Sequence, residues 1–173
     1  MPADERAAAS ALIAERANQL LAGSLQSGAS IALYAPKGSE VDTALVDASA
    51  RARGLRVAYP RVVDGDRRLE LREATPEALV PSRFGLREPV GGEVVAIAEI
   101  AAFVVPGLAF DRAGWRIGWG RGHYDATLAA ATPSALRIGL AFECQLIDEV
   151  PHDPHDARLH YVVTEAATYR TPE

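Results

Sequence analysis

The sequence predicts an α/β fold: a single-domain, three-layer sandwich with a mostly parallel central sheet flanked by helices. Short apolar runs bounded by turn residues alternate with amphipathic helical patterns, the order expected of parallel strands joined by crossovers on both faces. The chain has 173 residues, 49% apolar and 24% charged, which suits one ordinary globular unit with its own core. No repeat, low-complexity tract or linker divides residues 1–173.

The elements follow in order. Residues 1–28 hold the first helix, with Ala8, Leu12, Ile13, Leu20 and Leu21 at roughly helical spacing. Its acids and its lack of a long uncharged core argue against a signal peptide or a membrane span. "SIALYAP" is a buried strand stopped by proline. "EVDTALVDASARARG" is helical, with Val41, Leu45 and Val46 on one side and Gly54 as its stop. "LRVAYPRVV" is a strand, and "RRLELREA" reads as another after the turn "DGD". The proline- and glycine-rich "PEALVPSRFGLREPVGGE" is expected to be a long ordered loop, and such loops are often functional. Apolar character returns in "VVAIAEI" and "AAFVVPG", the second a central strand ending at Pro106. "YDATLAAAT" is a helix, "LRIGLAF" a strand and "YVVTEAA" the last strand.

Composition narrows the function classes. A formal net charge of −5 argues against a broad nucleic-acid surface, and the one basic cluster, Arg51, Arg53 and Arg56, reads as a solvated helix end. Cys144 is the only cysteine, which excludes an internal disulfide and fits a reducing cytoplasm; it reads as a half-buried thiol. A cytoplasmic protein without nucleic-acid or membrane partners is expected, monomeric, with a homodimer as the alternative.

Chemistry concentrates in "GWGRGHYDATLAAA", where Gly118, Gly120 and Gly122 alternate just before a helix. Backbone without Cβ atoms can approach a bulky anion, and a helix start offers unpaired N–H groups. Arg116 and Arg121 can add charge-assisted bonds to phosphate oxygens, and Asp125 falls in the first helical turn. The spacing matches neither the dinucleotide fingerprint nor the P-loop. Read locally, the cluster is as well a structural turn as an anion site, and Asp125 as well a first-turn acid as a metal ligand.

The wider register separates these readings. "VPGLAFDRAGWRIGWGRGHYD" resembles the signature segment of the 5-formyltetrahydrofolate cyclo-ligase family, also called methenyltetrahydrofolate synthetases. Pro106, Gly107, Phe110, Asp111, Gly114, Arg116, Gly118, Gly120, Gly122, Tyr124 and Asp125 match it in register. Tyr34, Pro36, Glu40, Thr43 and Pro60 match an upstream run, "FGLREP" matches a loop ending in Glu-Pro, and "VPHDPHDARLHYVVTE" matches the tail. The likeness covers roughly residues 30 to 165.

The resemblance implies conversion of 5-formyltetrahydrofolate to 5,10-methenyltetrahydrofolate with consumption of MgATP. A formamide oxygen is a poor leaving group, and phosphorylating it lets a neighbouring folate nitrogen close the ring as phosphate departs. Such a site needs positioning and charge neutralisation more than a protein nucleophile. By the resemblance, residues 116–125 (Arg116, Ile117, Gly118, Trp119, Gly120, Arg121, Gly122, His123, Tyr124 and Asp125) hold ATP, with Arg116, Arg121 and Tyr124 catalytic. Asp125 and Asp156 would hold Mg²⁺. Tyr34, Glu40, Phe84 and Tyr124 would bind the folate, Glu40 at the pterin or formyl region and the aromatic rings by stacking. Plainer roles stand beside these: Glu40 as a helix cap, Phe84 as a small satellite core, and "HDPHD" as a solvated turn rather than a metal site. The alternative to an enzyme is a catalytically divergent folate- or nucleotide-binding paralogue on the same fold.

Four features depart from the family pattern. Trp119 stands where a second arginine is usual, His123 replaces the first tyrosine of Tyr-Tyr-Asp, and His160 replaces an aspartate before the last strand. The first helix is short and lacks the usual lysine and arginine, for which Arg6 or Arg16 are the candidate substitutes. Loss of one charge-assisted contact costs about 1.5–3 kcal/mol, enough to weaken ATP binding without abolishing it.

Overall fold

The computed structural model describes residues 1–172. In chain order the elements are α1 (Ala3–Ser24), β1 (Ser30–Ala32), α2 (Ala44–Ala52), β2 (Arg56–Arg61) and β3 (Glu70–Glu73). Next come β4 (Leu79–Pro81), β5 (Arg87–Pro89), β6 (Val94–Val95), β7 (Ile100–Val105), β8 (Ala109–Phe110) and β9 (Arg116–Ile117). The chain finishes with α3 (His123–Ala129), β10 (Leu136–Leu140), β11 (Tyr161–Val163) and β12 (Thr168–Arg170).

Eight strands form one sheet in the order β12-β11-β10-β7-β1-β2-β3-β6. The four inner pairings are parallel, and the outer pairings of β12, β3 and β6 are antiparallel. Alternate side chains of the inner strands feed two cores, as the two-residue period of a strand requires. Ile31, Val57, Ala102, Val104 and Ile138 pack with α1 and α2, whereas Ala32, Ala58, Phe103 and Val105 pack on the opposite face with Leu128 of α3. Helices therefore cover both faces, the three-layer arrangement predicted from strand–helix alternation.

This topology fixes where a ligand fits. From β1 the chain crosses through α2 to β2 on one side, then returns to β7 on the other. The loops leaving β1 and β7 thus diverge at the carboxyl edge, and such a switch point opens a crevice.

Several local expectations need correction. The buried stripe of α1 is Ala9, Ile13, Ala14, Ala17 and Leu21, and Ala8 and Leu12 face solvent. Alanine fits either phase of the helix, and the sheet takes the phase that lets small residues approach closely. The segment read as a long loop carries the two-stranded β4–β5 ribbon. "VVAIAEI" supplies only the edge strand β6 and a short 3-10 turn, Ile97–Glu99. The β8–β9 hairpin and strand β12 were not foreseen, because runs this short and polar lack a readable period. Cys144 is exposed, not half-buried, on the 3-10 turn Glu143–Gln145.

Candidate active site

A cleft of about 480 Å³ opens at the switch point. Tyr34, Ala35 and Lys37 after β1, Pro60 of β2 and Pro106 after β7 form its floor and one wall. Residues 116–125 form the facing wall, and Phe84, Leu86, Arg87 and Glu88 of the β4–β5 ribbon contribute the rim. Glu88 fastens that rim by accepting the Val62 N–H at 2.8 Å and the Ser82 hydroxyl.

The glycine loop leads from β9 into α3, a helix of only seven residues, too short for its dipole to dominate. Its anion-binding capacity rests on side chains. Arg116 has a side chain only 4% exposed; one guanidinium nitrogen donates to Asp125 Oδ1 at 3.2 Å, and Nε is buried without a partner. A buried guanidinium N–H left unpaired is costly, and a bound phosphate oxygen is the kind of group that satisfies it. Gly120 has φ +80° with open space where a Cβ would lie, so the chain turns here without obstructing the cleft.

Asp125 Oδ1 also accepts the Ala157 N–H at 3.1 Å, which brings the Asp156 segment to the same wall. Asp156 Oδ2 accepts the Asp153 N–H at 2.8 Å, closing the "HDPHD" turn. Asp125 and Asp156 both line the cleft, but no group of three metal-ligating side chains exists among the described residues. His155 is exposed, and His152 stacks on Trp115 with ring centroids 3.9 Å apart.

Glu40 does not cap α2. Thr43 occupies the N-cap position and Asp42 Oδ1 accepts the Ala44 N–H. Glu40 instead spans the cleft mouth: Oε2 accepts the Lys37 N–H at 2.8 Å and Oε1 accepts the Trp119 indole N–H at 3.0 Å. Burial pushes its carboxyl above the usual range, against the lowering effect of those two bonds and the Lys37 charge. Burial likewise raises the phenols of Tyr34 and Tyr124, with Glu40 adding to both, so each stays protonated at neutral pH. The Tyr34 hydroxyl donates to Val41 O at 2.8 Å and holds the turn that carries Glu40.

Trp119 lines the cleft. It is 52% exposed, and the Lys37 ammonium stands 4.3 Å from its ring centroid. Phe84 is no satellite core: 47% exposed, it adopts φ 62° and stacks under the Arg121 guanidinium at 3.4 Å. A bulky residue in that backbone region stores about 1–3 kcal/mol of strain, which the stack with Arg121 helps offset. Ile117 lines the cleft at 39% exposure. The His123 ring nitrogen Nδ1 hydrogen-bonds Arg67 O at 2.8 Å and ties α3 to the β2–β3 connection.

His160 and the N-terminal arginines lie outside the cleft. His160 Nδ1 accepts the Arg137 N–H, a structural task. Arg6 donates to Met1 O and Arg16 to Ala166 O, so neither replaces a nucleotide-binding cation. Residue-by-residue reading missed Lys37, Arg67, Arg87 and Glu88, all of which line the cleft. Lys37 and Arg67 follow or precede strands whose ends were legible, and a cation at such an end was the available signal.

The chain resembles known proteins along most of its length. The sequence profile described as the 5-formyltetrahydrofolate cyclo-ligase family matches residues 1–165. A 5-formyltetrahydrofolate cyclo-ligase of Mycolicibacterium smegmatis is 36% identical over 158 residues, covering 87% of this chain and 81% of the relative. The Escherichia coli protein of the same name is 30% identical, over 80% of this chain and 79% of the relative. The solved structure of Aquifex aeolicus 5,10-methenyltetrahydrofolate synthetase superposes with a TM-score of 0.81 at 26% identity, covering all of this chain and 86% of that one.

Proposed function

The chain belongs to the 5-formyltetrahydrofolate cyclo-ligase family, and on that premise we propose how its cleft converts 5-formyltetrahydrofolate to 5,10-methenyltetrahydrofolate at the expense of ATP. It is an ATP-dependent ligase, and the observation that carries the site assignment is the unpartnered, buried Nε of Arg116 beside an open glycine loop. ATP phosphates lie along Gly118, Gly120 and Gly122. Arg116 and Arg121 balance their charge, and Arg67, whose guanidinium lies close to Gly122, joins them.

The folate enters from the rim. Glu40 hydrogen-bonds the pterin or formyl region, and Tyr34, Phe84 and Tyr124 supply apolar faces for its rings. The formyl oxygen bonds to the γ-phosphorus while the bond to the β-phosphate oxygen breaks, and ADP leaves with the electron pair. The neighbouring folate nitrogen then attacks the activated carbon and loses its proton. The carbon–oxygen bond to the phosphoryl group breaks and inorganic phosphate departs. Tyr124 stays protonated and serves as a donor, and Arg116 is held toward the phosphates by Asp125.

Asp125 Oδ2 and Asp156 Oδ1 carry no hydrogen bond among the described residues, and two carboxylates with phosphate oxygens and water suit Mg²⁺. When bound as MgATP, the ion neutralises phosphate charge. No helix among the described residues is long and apolar enough to cross a membrane. The reading places the chain in the cytoplasm, supported by its single cysteine, and takes it as a monomer.

Trp119 lines the proposed nucleotide site, so its fluorescence tests the assignment. MgADP should change it saturably, and Arg116→Met should raise the apparent Kd about tenfold, the loss of one charge-assisted contact. Nucleotide binding unaffected by that substitution would place the phosphates elsewhere.

A further inference from the structure

We propose that Lys37 is a further catalytic residue, its ammonium seated on the Trp119 ring to contact the phosphoryl group as it passes to the formyl oxygen. The inference rests on the folate and ATP assignments above and adds a residue that neither the family signature nor the glycine loop contains.

The geometry is specific. The Lys37 ammonium lies 4.3 Å from the Trp119 ring centroid, and no carboxylate oxygen stands within 4 Å of it among the described residues. Besides the ring, the Glu40 charge is near enough to interact with it. The stem passes the Phe84–Gly85 turn, with Cε 3.5 Å from the position a Cβ on Gly85 would take. The backbone N–H of the same residue holds Glu40 Oε2, and the indole of Trp119 holds Glu40 Oε1. Lys37, Glu40 and Trp119 are thus one interlocked unit across the cleft.

That unit marks where the two substrates must meet. The glycine loop holds phosphates and Glu40 holds the formyl region, and transfer requires phosphorus and formyl oxygen to come into contact. Trp119 belongs to the loop and touches Glu40, so the meeting point lies beside it. The loop side carries its own cations: Arg116 with an unpartnered Nε, and Arg121 over Phe84. Lys37 adds positive charge from the opposite wall, at Trp119, where the transferring phosphoryl group spreads negative charge over its oxygens. It neither gains nor loses a proton in the step. The position that usually carries an arginine instead carries a ring that seats a lysine from the opposite wall.

Steady-state kinetics of Lys37→Met, Lys37→Arg and Trp119→Leu test this. Lys37→Met should lower kcat about 10²–10³-fold, the usual effect of removing one transition-state donor, with the folate KM and the melting temperature nearly unchanged. Lys37→Arg should restore much of kcat, and Trp119→Leu, which removes the seat, should lower kcat in the same direction. A Lys37→Met enzyme with wild-type kcat, or one altered only in KM, overturns the inference and leaves the cyclo-ligase reading intact. A wild-type protein that forms no methenyl product overturns the underlying reading, and the inference with it.

Discussion

The indole N–H of Trp119 donates to Oε1 of Glu40 at 3.0 Å and so joins the glycine loop to the turn after β1. Two walls that must cooperate in phosphoryl transfer are linked by one hydrogen bond, made by a residue that departs from the family pattern.

Trp119→Phe keeps the ring under Lys37 but loses that bond. The bond lowers the Glu40 pKa while burial raises it, so its removal moves Glu40 protonation to higher pH. The folate KM should rise, and its acid limb should shift toward neutrality, with kcat retained better than in Trp119→Leu. A pH profile of KM superposable on wild type would mean that Glu40 does not bind the folate.

Asp125 is the counter-charge of the buried Arg116 guanidinium. Asp125→Ala strands that cation and should cost about 3 kcal/mol of stability, as well as turnover. Asp125→Asn keeps the shape and a hydrogen-bonding oxygen, so it should melt closer to wild type and still fail to turn over MgATP. Normal turnover and normal Mg²⁺ dependence in Asp125→Asn would reduce Asp125 to a structural role.

At Gly118 a Cβ would come 2.8 Å from a terminal nitrogen of Arg116. Gly118→Ala should push the guanidinium away and raise the ATP KM about tenfold, one charge-assisted contact's worth. An unchanged ATP KM would separate Arg116 from the nucleotide.

His160 predicts a pH effect on stability rather than on catalysis. Burial, then the Arg137 charge, lowers its pKa, and protonation would set a ring N–H against the Arg137 backbone N–H. The unfolded chain binds the proton more readily, so this contribution is complete above the unfolded value of about 6.5 and is lost as pH falls below it. Between about pH 7.5 and 5.5 the wild-type melting temperature should fall more than that of His160→Asn, which keeps an acceptor without titrating. Equal slopes would exclude the effect.

The sheet, its parallel interior and the glycine loop were legible because apolar periodicity and glycine spacing are local signals. The signature residues Phe110 and Asp111 were legible as a match but not as a role. Phe110 is fully buried, and Asp111 accepts the Trp115 and Val150 N–H groups, so both build the hairpin that carries Arg116 rather than the chemistry. Lys37 and Arg67 were not legible, because a lone cation in a turn gains meaning only when a distant wall folds against it. The phase of α1 was misread for the related reason that alanine does not declare which face is buried.

The most direct test is the near-ultraviolet absorbance of methenyltetrahydrofolate as the purified protein meets 5-formyltetrahydrofolate and MgATP. Absorbance should grow only when protein, folate and MgATP are all present. Measurable binding of folate and nucleotide with no product formed would contradict the account and leave a binding protein on a cyclo-ligase fold.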